Sequence, residues 1–316
     1  MSAAHTAQLW ALEHILDAGV DLVHVTGSPA TGRAVLRTAA ESLTPVMLEL
    51  GGKDAAIVCE DAFLERAARA IAFASCINAG QTCIAHKRAI LHTQIYDQLA
   101  PRIVEEVRAL APQRIDNEPV GPLFLPNELN RITRQIEQSV AMGATLLCGG
   151  TQLDGPGTYF VPAVLGDCTP DMPAVKEETF APLLCLMKAD SDDEAIALSN
   201  QSDFGLCGSI WTRDKRRAER IASRLKVGSL SINDVLTTAY IPAAPFGGVK
   251  QSGFGRAGSE LGFLNYCNVQ TTCRTPALFE RDPIWPPYSD THLAIARKFI
   301  GSFHTRLGAR LKWLSS

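Results

Sequence analysis

The chain has 316 residues, 46% hydrophobic and 20% charged, with 30 basic and 33 acidic residues for a formal net charge of −3. That composition excludes a disordered or low-complexity protein and fits about two domains of roughly 150 residues. It offers no basic excess for a nucleic-acid backbone and no apolar run of about 18 residues for a spanning helix.

The elements alternate between strand and helix, which predicts an α/β protein with a largely parallel sheet. Leu22–Val25 reads as a buried strand, and Thr26-Gly27-Ser28-Pro29 turns it into a helix over 30–42, with Ser28 as N-cap and Pro29 in the first helical position. Strands follow at Val46–Leu50 and 55–59, then a helix opened by Asp61. A helix is expected to start at Cys83, after the Gly80-Gln81-Thr82 turn. Further strands are expected at 89–92, 145–148, 159–165, 183–188, 209–212 and 229–232. Further helices are expected at 94–110, 128–142, 192–200 and 215–225. The passage 242–258 holds five glycines after Phe246 and reads as a long turn-rich segment, a pattern that goes with function or disorder. Tyr266–Arg274 reads as an extended strand. From Thr291 on there are five Lys or Arg and no acid, with Leu293, Ala296, Ile300, Phe303, Leu307, Leu311 and Leu314 on one helical face.

Met1–Trp10 shows no basic segment followed by an apolar core, so no signal peptide is expected. Nine cysteines, without a C-x-x-C pair, argue against a disulfide framework or a zinc ribbon and for a reducing cytoplasm.

Four places carry chemistry. Glu49 lies inside the apolar run Val46–Leu50, where burial would raise its pKa toward that of a general base; an edge-strand glutamate facing water is the plainer alternative. Gly51-Gly52, next to it, lets another group approach the backbone. Cys83, at the expected helix start, would have its thiolate stabilised there, although a lone cysteine is more often a small buried apolar residue. His86 reads as a surface residue on the following turn. The Gly27–Gly32 turn can seat a phosphate at a helix N-terminus, or be an ordinary βα turn. In Glu177-Glu178, one carboxylate can bind a ribose diol, or both can be solvated.

Taken in order, these pieces read GS-x-x-x-G, ELGGK, GQ-x-C 34 residues after the glutamate, EETF-x-P and PFGG-x-K-x-SG-x-G-R. The sequence resembles the aldehyde dehydrogenase superfamily from about His5 to Thr275, and Trp285-Pro286-Pro287-Tyr288 is more weakly similar to the C-terminal region of class 3 and fatty-aldehyde members. The resemblance implies that Cys83 is the nucleophile and Glu49 the base. It puts Gly27, Ser28 and Gly32 at the pyrophosphate, Glu178 at the nicotinamide ribose with Phe180 beside the cofactor, and Phe246 at the substrate site. Implied cofactors are NAD or NADP, and the implied substrate is a small-molecule aldehyde. Glu49 also argues against the CoA-acylating branch, which generally lacks this base.

Relative to the family, the chain is N-terminally truncated: the TGS turn, central to the family's cofactor domain, begins here at residue 26. The adenosine-ribose lysine and the oxyanion asparagine of the family have no counterpart. The implied layout is 1–51 as the end of a Rossmann-like cofactor domain, 52–247 as the catalytic domain, 248–275 as a glycine-rich return with an oligomerisation strand, and 276–316 as a tail. A homo-oligomer or a complementary chain supplying the missing half is expected, with no metal. Two alternatives stand beside an aldehyde oxidoreductase: a non-catalytic or split-enzyme partner, and a Cys/Glu esterase-like hydrolase. The expected location is cytoplasmic, with peripheral membrane contact through the basic C-terminal helix as an option.

Overall fold

A computed structural model describes residues 11, 14–112, 119–274, 285–298 and 300–301. One compact unit runs to Asn268, and a second, smaller one begins at Val269. In the second, residues 290–298 are helical; Phe303, Leu307, Leu311 and Leu314 of the expected amphipathic face lie outside the described residues.

The first unit is built on two sheets. The smaller joins β1 (Val23–Gly27) and β2 (Val46–Leu50) in parallel and adds β12 (Gly253–Phe254) antiparallel to β2. The larger has seven strands: β3 (Asp54–Val58), β4 (His86–His92), β5 (Thr145–Cys148), β6 (Ala163–Gly166), β7 (Leu183–Ala189), β9 (Cys207–Trp211) and β10 (Ser229–Ile232). Their order is β10-β9-β3-β4-β7-β6-β5, parallel throughout except for β5 against β6. A parallel sheet covered on both faces needs apolar residues at successive positions, and β3 and β7 supply them: Ala56, Ile57, Leu183, Leu184, Cys185 and Leu186 are all buried. A two-stranded ribbon pairs β8 (Phe204–Gly205) with β11 (Val249–Lys250).

The helices are α1 (Pro29–Ser42), α2 (Leu64–Cys76), α3 (Thr93–Ala109), α4 (Pro126–Ala141), α5 (Pro173–Lys176), α6 (Asp192–Asn200), α7 (Lys215–Ala222) and α8 (Ser259–Leu264). Alanines 67, 68, 72 and 74 pave the buried side of α2. Small side chains of this kind let a helix lie close to the sheet. Ser28 caps α1 as expected, its Oγ accepting the Thr31 N–H at 3.1 Å, with Pro29 in the first turn.

Three expectations fail. No helix starts at Cys83: a 3₁₀ turn, Ile77–Gly80, leads through residues 81–85 into β4. The stretch 266–274 is turn and irregular chain, because no described strand lies beside it to complete a ladder. The 159–165 strand shrinks to Ala163–Gly166, with Phe160 only bridging Gln152. The glycine-rich passage is ordered by pairing: β11, β12 and a bridge between Phe246 and Ala257.

Candidate active site

The turn after β1, the end of β2, the turn before β4 and the loop after α5 meet around one cavity of about 850 Å³. Its wall includes Gly27, Ser28, Glu49, Cys83, Glu178 and Phe180. Six of the residues singled out in the sequence, dispersed over 150 positions, thus share one space. The other two do not line it. Gly32 faces the sheet: a Cβ there would lie 2.8 Å from Leu50 Cδ1 and 3.3 Å from Leu48 Cδ1, so the glycine lets α1 pack on β2. Phe246 packs against the main core and exchanges backbone hydrogen bonds with Ala257. Its neighbour Gly247 borders Glu49, since a Cβ there would come within 2.8 Å of Oε1.

Glu49 is 8% exposed, and neither carboxylate oxygen has a hydrogen-bond partner. Burial pushes its pKa up to about 7, against the opposing pull of the Arg256 guanidinium. Arg256 is itself held by the carbonyls of Gly248 and Gly255. A carboxyl poised near neutrality and left without partners can exchange a proton with whatever enters the cavity.

Cys83 is half-buried in the turn before β4. Without a helix to stabilise thiolate, burial pushes the thiol up to about 11, with Asp54 and Glu49 adding to the shift; the N–H groups of Ile84 and Cys83 itself pull the other way. The expectation of a low-titrating thiol at a helix start is therefore corrected: burial holds the sulfur protonated. His86 is also corrected. It opens β4 at 1% exposure, its Nε2 bonded to Ser209 Oγ at 2.9 Å, and burial lowers its pKa to about 4.

The two glycines after Glu49 explain how these groups come together. A Cβ at Gly51 would sit 1.7 Å from Glu178 Oε1, so the Glu178 carboxyl rests on the bare backbone of Gly51. A Cβ at Gly52 would lie 2.6 Å from the Cys83 carbonyl oxygen. Close approach of backbone requires glycine at 52, and at 51 the missing side chain leaves the cradle for the flexible Glu178 carboxyl. Glu177, next to Glu178, points elsewhere and pairs with Arg134 and Gln135; burial raises the Glu178 pKa.

Several contributors escaped sequence reasoning. Glu128 and Arg131, on the first turns of α4, line the cavity, as do Asn78 and Gln81. Lys53 and Lys87 are almost completely buried, 1% and 2% exposed, and burial lowers their pKa values to about 8 and 7. Lys87 donates to the carbonyls of Gly80 and Ala181 at 2.8 and 2.7 Å, fixing the turn that leads to Cys83. The available signal was a charged pair, Lys53-Asp54, opening a strand otherwise made of Ala, Ile and Val. Among the described residues, no group of three or more His, Cys, Asp or Glu could hold a metal ion.

The cavity also fits a ribose-phosphate group. A carboxyl lies on a side-chain-free cradle, and the N-terminus of α1, with Ser28 as its cap, stands in the same wall, where backbone N–H groups favour an anion.

The family model for the aldehyde dehydrogenase family matches residues 11–272. The chain is similar to a succinate-semialdehyde dehydrogenase [NADP(+)] of Mycobacterium avium, 40% identical over 83% of this chain and 56% of the relative. Among solved structures, an aldehyde dehydrogenase of Mycobacterium tuberculosis complexed with NAD+ matches with a TM-score of 0.74, at 36% identity over 78% of this chain and 51% of that one. A succinate-semialdehyde dehydrogenase of Burkholderia pseudomallei gives a TM-score of 0.75 at 36% identity, covering 78% and 51%. The chain thus spans little more than half the length of the relatives it matches. With ELGGK, GQ-x-C and EETF on one cavity and a family match over most of its residues, the chain belongs to the aldehyde dehydrogenase family.

Proposed function

We propose that the chain carries the chemistry of an aldehyde dehydrogenase, oxidising an aldehyde to a carboxylic acid with NAD or NADP. The observation that carries this reading is the shared cavity of Cys83, Glu49 and Glu178, with Gly51 and Gly52 bringing them together. Cys83 Sγ attacks the aldehyde carbon and its proton passes to the forming oxyanion, which gives a thiohemiacetal. Glu178 and Phe180 hold the ribose end of the cofactor, Gly27 and Ser28 its phosphate, and Gly32 supports that turn from behind. A nicotinamide bound there would supply the hydride acceptor, and the thiohemiacetal hydroxyl would lose its proton to water. A thioester on Cys83 remains, and Glu49 takes a proton from the water that hydrolyses it. Phe246 acts from behind Gly247, bordering the substrate end. The relatives' names make a short aldehyde bearing a carboxylate the first substrate to try, and NADP the first cofactor.

In this reading 1–51 close the cofactor domain, 52–247 form the catalytic domain, 248–275 return the chain to β2, and 276–316 are the tail. Association through an open sheet edge and peripheral membrane contact through the basic tail go with it. A Cys/Glu hydrolase is the second reading, favoured by one fact: thiol and base stand together in a cavity that acyl transfer to water can use alone.

An activated aryl ester tests the shared chemistry without cofactor. The parent chain should turn over; Cys83→Ala should lose turnover, and Glu49→Gln should release one equivalent of phenol and then retain an acyl group on Cys83, visible by mass spectrometry. Full turnover by Glu49→Gln would remove Glu49 from the mechanism. Reduction of NADP by the parent with succinate semialdehyde, set against ester turnover alone, separates the dehydrogenase from the hydrolase.

A further inference from the structure

Lys53 is a buried ammonium with no carboxylate within ion-pair distance among the described residues. Its Nζ donates to Thr179 Oγ1 at 2.8 Å. The Thr179 hydroxyl donates onward to Gln135 Oε1 at 2.7 Å. Gln135 closes the path, its Nε2 donating to the backbone carbonyl of Glu178 at 3.1 Å. All three side chains are 2% exposed or less.

Burying a lysine, a threonine hydroxyl and a glutamine amide together costs stability unless every link is made, which makes such a network highly directional. The directions here are informative. Lys53 follows Gly51-Gly52, the backbone that bears Glu178 and Cys83. Thr179 lies between Glu178 and Phe180. Gln135 is on α4, one turn beyond Arg131, which lines the cavity together with Glu128. A single chain of hydrogen bonds therefore joins three separate walls of the cavity.

We propose that Lys53, Thr179 and Gln135 form a positioning relay that registers the Glu178–Phe180 segment and the cavity end of α4 against the Gly51-Gly52 backbone. The relay rests on the reading that Glu178 holds a cofactor ribose. None of its members reaches the reacting atoms; each acts through the groups it places. The Thr179 hydroxyl is the pivot, since it alone both accepts from the ammonium and donates to the amide.

The test is amide hydrogen exchange by mass spectrometry on the 316-residue chain, comparing Thr179→Val, which keeps the shape and removes the hydroxyl, with Thr179→Ser, which keeps the hydroxyl. Losing two hydrogen bonds, one of them to a charged donor, should speed exchange in 176–182 by about tenfold or more. The serine variant should stay close to the parent. Parent-like exchange in Thr179→Val overturns the relay. Exchange in a folded Thr179→Ser as fast as in Thr179→Val also overturns it, because the methyl group's packing would then be what holds the segment. If circular dichroism shows Thr179→Val unfolded, Lys53→Met takes its place with the same two readings. Glu178→Gln separates the relay from the functional reading: its carboxyl is not in the relay, so exchange should stay parent-like while binding of NADP+ falls. Unchanged NADP+ binding in Glu178→Gln, with loosened exchange in Thr179→Val, would leave the relay standing and remove the ribose role of Glu178.

Discussion

At the scale of single residues, the site is governed by desolvation. Cys83 and Glu49 are both shifted toward their neutral forms by burial, to about 11 and about 7. A neutral thiol in one cavity with a carboxyl that ionises near neutrality rests without a buried ion pair. The same shift bears on folding. The Glu49 pKa rises from 4.5 to about 7 on folding, so the folded chain binds the proton more tightly than the unfolded one. Below the unfolded value the carboxyl is neutral in both states, and its favourable contribution is complete. That contribution declines as the pH climbs through the folded value, and above it the buried carboxylate weighs against the fold by on the order of 3 kcal/mol. Glu49→Gln removes the titration. The variant should gain stability over the parent between pH 5 and pH 8, read as a growing difference in urea midpoint; a constant difference across that range would mean that Glu49 is solvated in the folded chain.

At the scale of elements, the legible part of the sequence was whatever carried a period or a cap. The strands at 46–50 and 145–148 and the helix at 192–200 were readable to the residue, and Ser28-Pro29 announced α1. Glu49 in an apolar strand and the glycine pair after it pointed to a close approach, although what approaches, Glu178 and the Cys83 carbonyl, comes from 129 and 34 positions beyond Glu49 and has no local signature. Cys83 was misplaced because Gly-Gln-Thr reads as a helix entrance. His86 read as a surface residue, yet it and the adjoining Lys87 and Arg88 are all buried: their hydrogen-bond partners, Ser209 and the carbonyls of Gly80, Ala181, Lys53, Leu198 and Ser199, gather only in the fold. Close approach also makes Gly51 the most informative glycine to replace. Gly51→Ala forces the Glu178 carboxyl off its cradle, a flexible group yielding to a methyl, so the fold should lose only about 1–3 kcal/mol while NADP+ affinity falls at least tenfold. Gly32→Ala, whose Cβ meets only leucine methyls, should cost stability to a similar degree and lower affinity less, acting only through the turn that Gly32 supports. Equal affinities for the two variants would separate Glu178 from cofactor binding.

At the scale of the molecule, the small sheet ends at β1, whose sole partner among the described residues is β2. An open parallel edge presents unpaired N–H and C=O groups to any strand that can reach it. Around the same unit, Leu43 is 88% exposed and Phe263 68%. No helix among the described residues is long and apolar enough to cross a membrane. For the proposed lipid contact the tail carries five basic residues and no acid from Thr291, at about 1 kcal/mol for each basic residue near an anionic interface. These are two separable surfaces, and a chain ending at Asp290 separates them. Light scattering should find both the 316-residue chain and the shorter one associated, because β1 is common to both, with dissociation only when a strand-supplying partner covers the edge. Monomeric behaviour of both would mean that the edge is protected. With anionic phosphatidylserine vesicles added, only the full chain should co-sediment, and it should be released as salt is raised to about 0.5 M, where the screening length falls to roughly half its physiological value. Equal co-sedimentation of the two chains would take the membrane role away from the tail and give it to the exposed leucine and phenylalanine of the first unit.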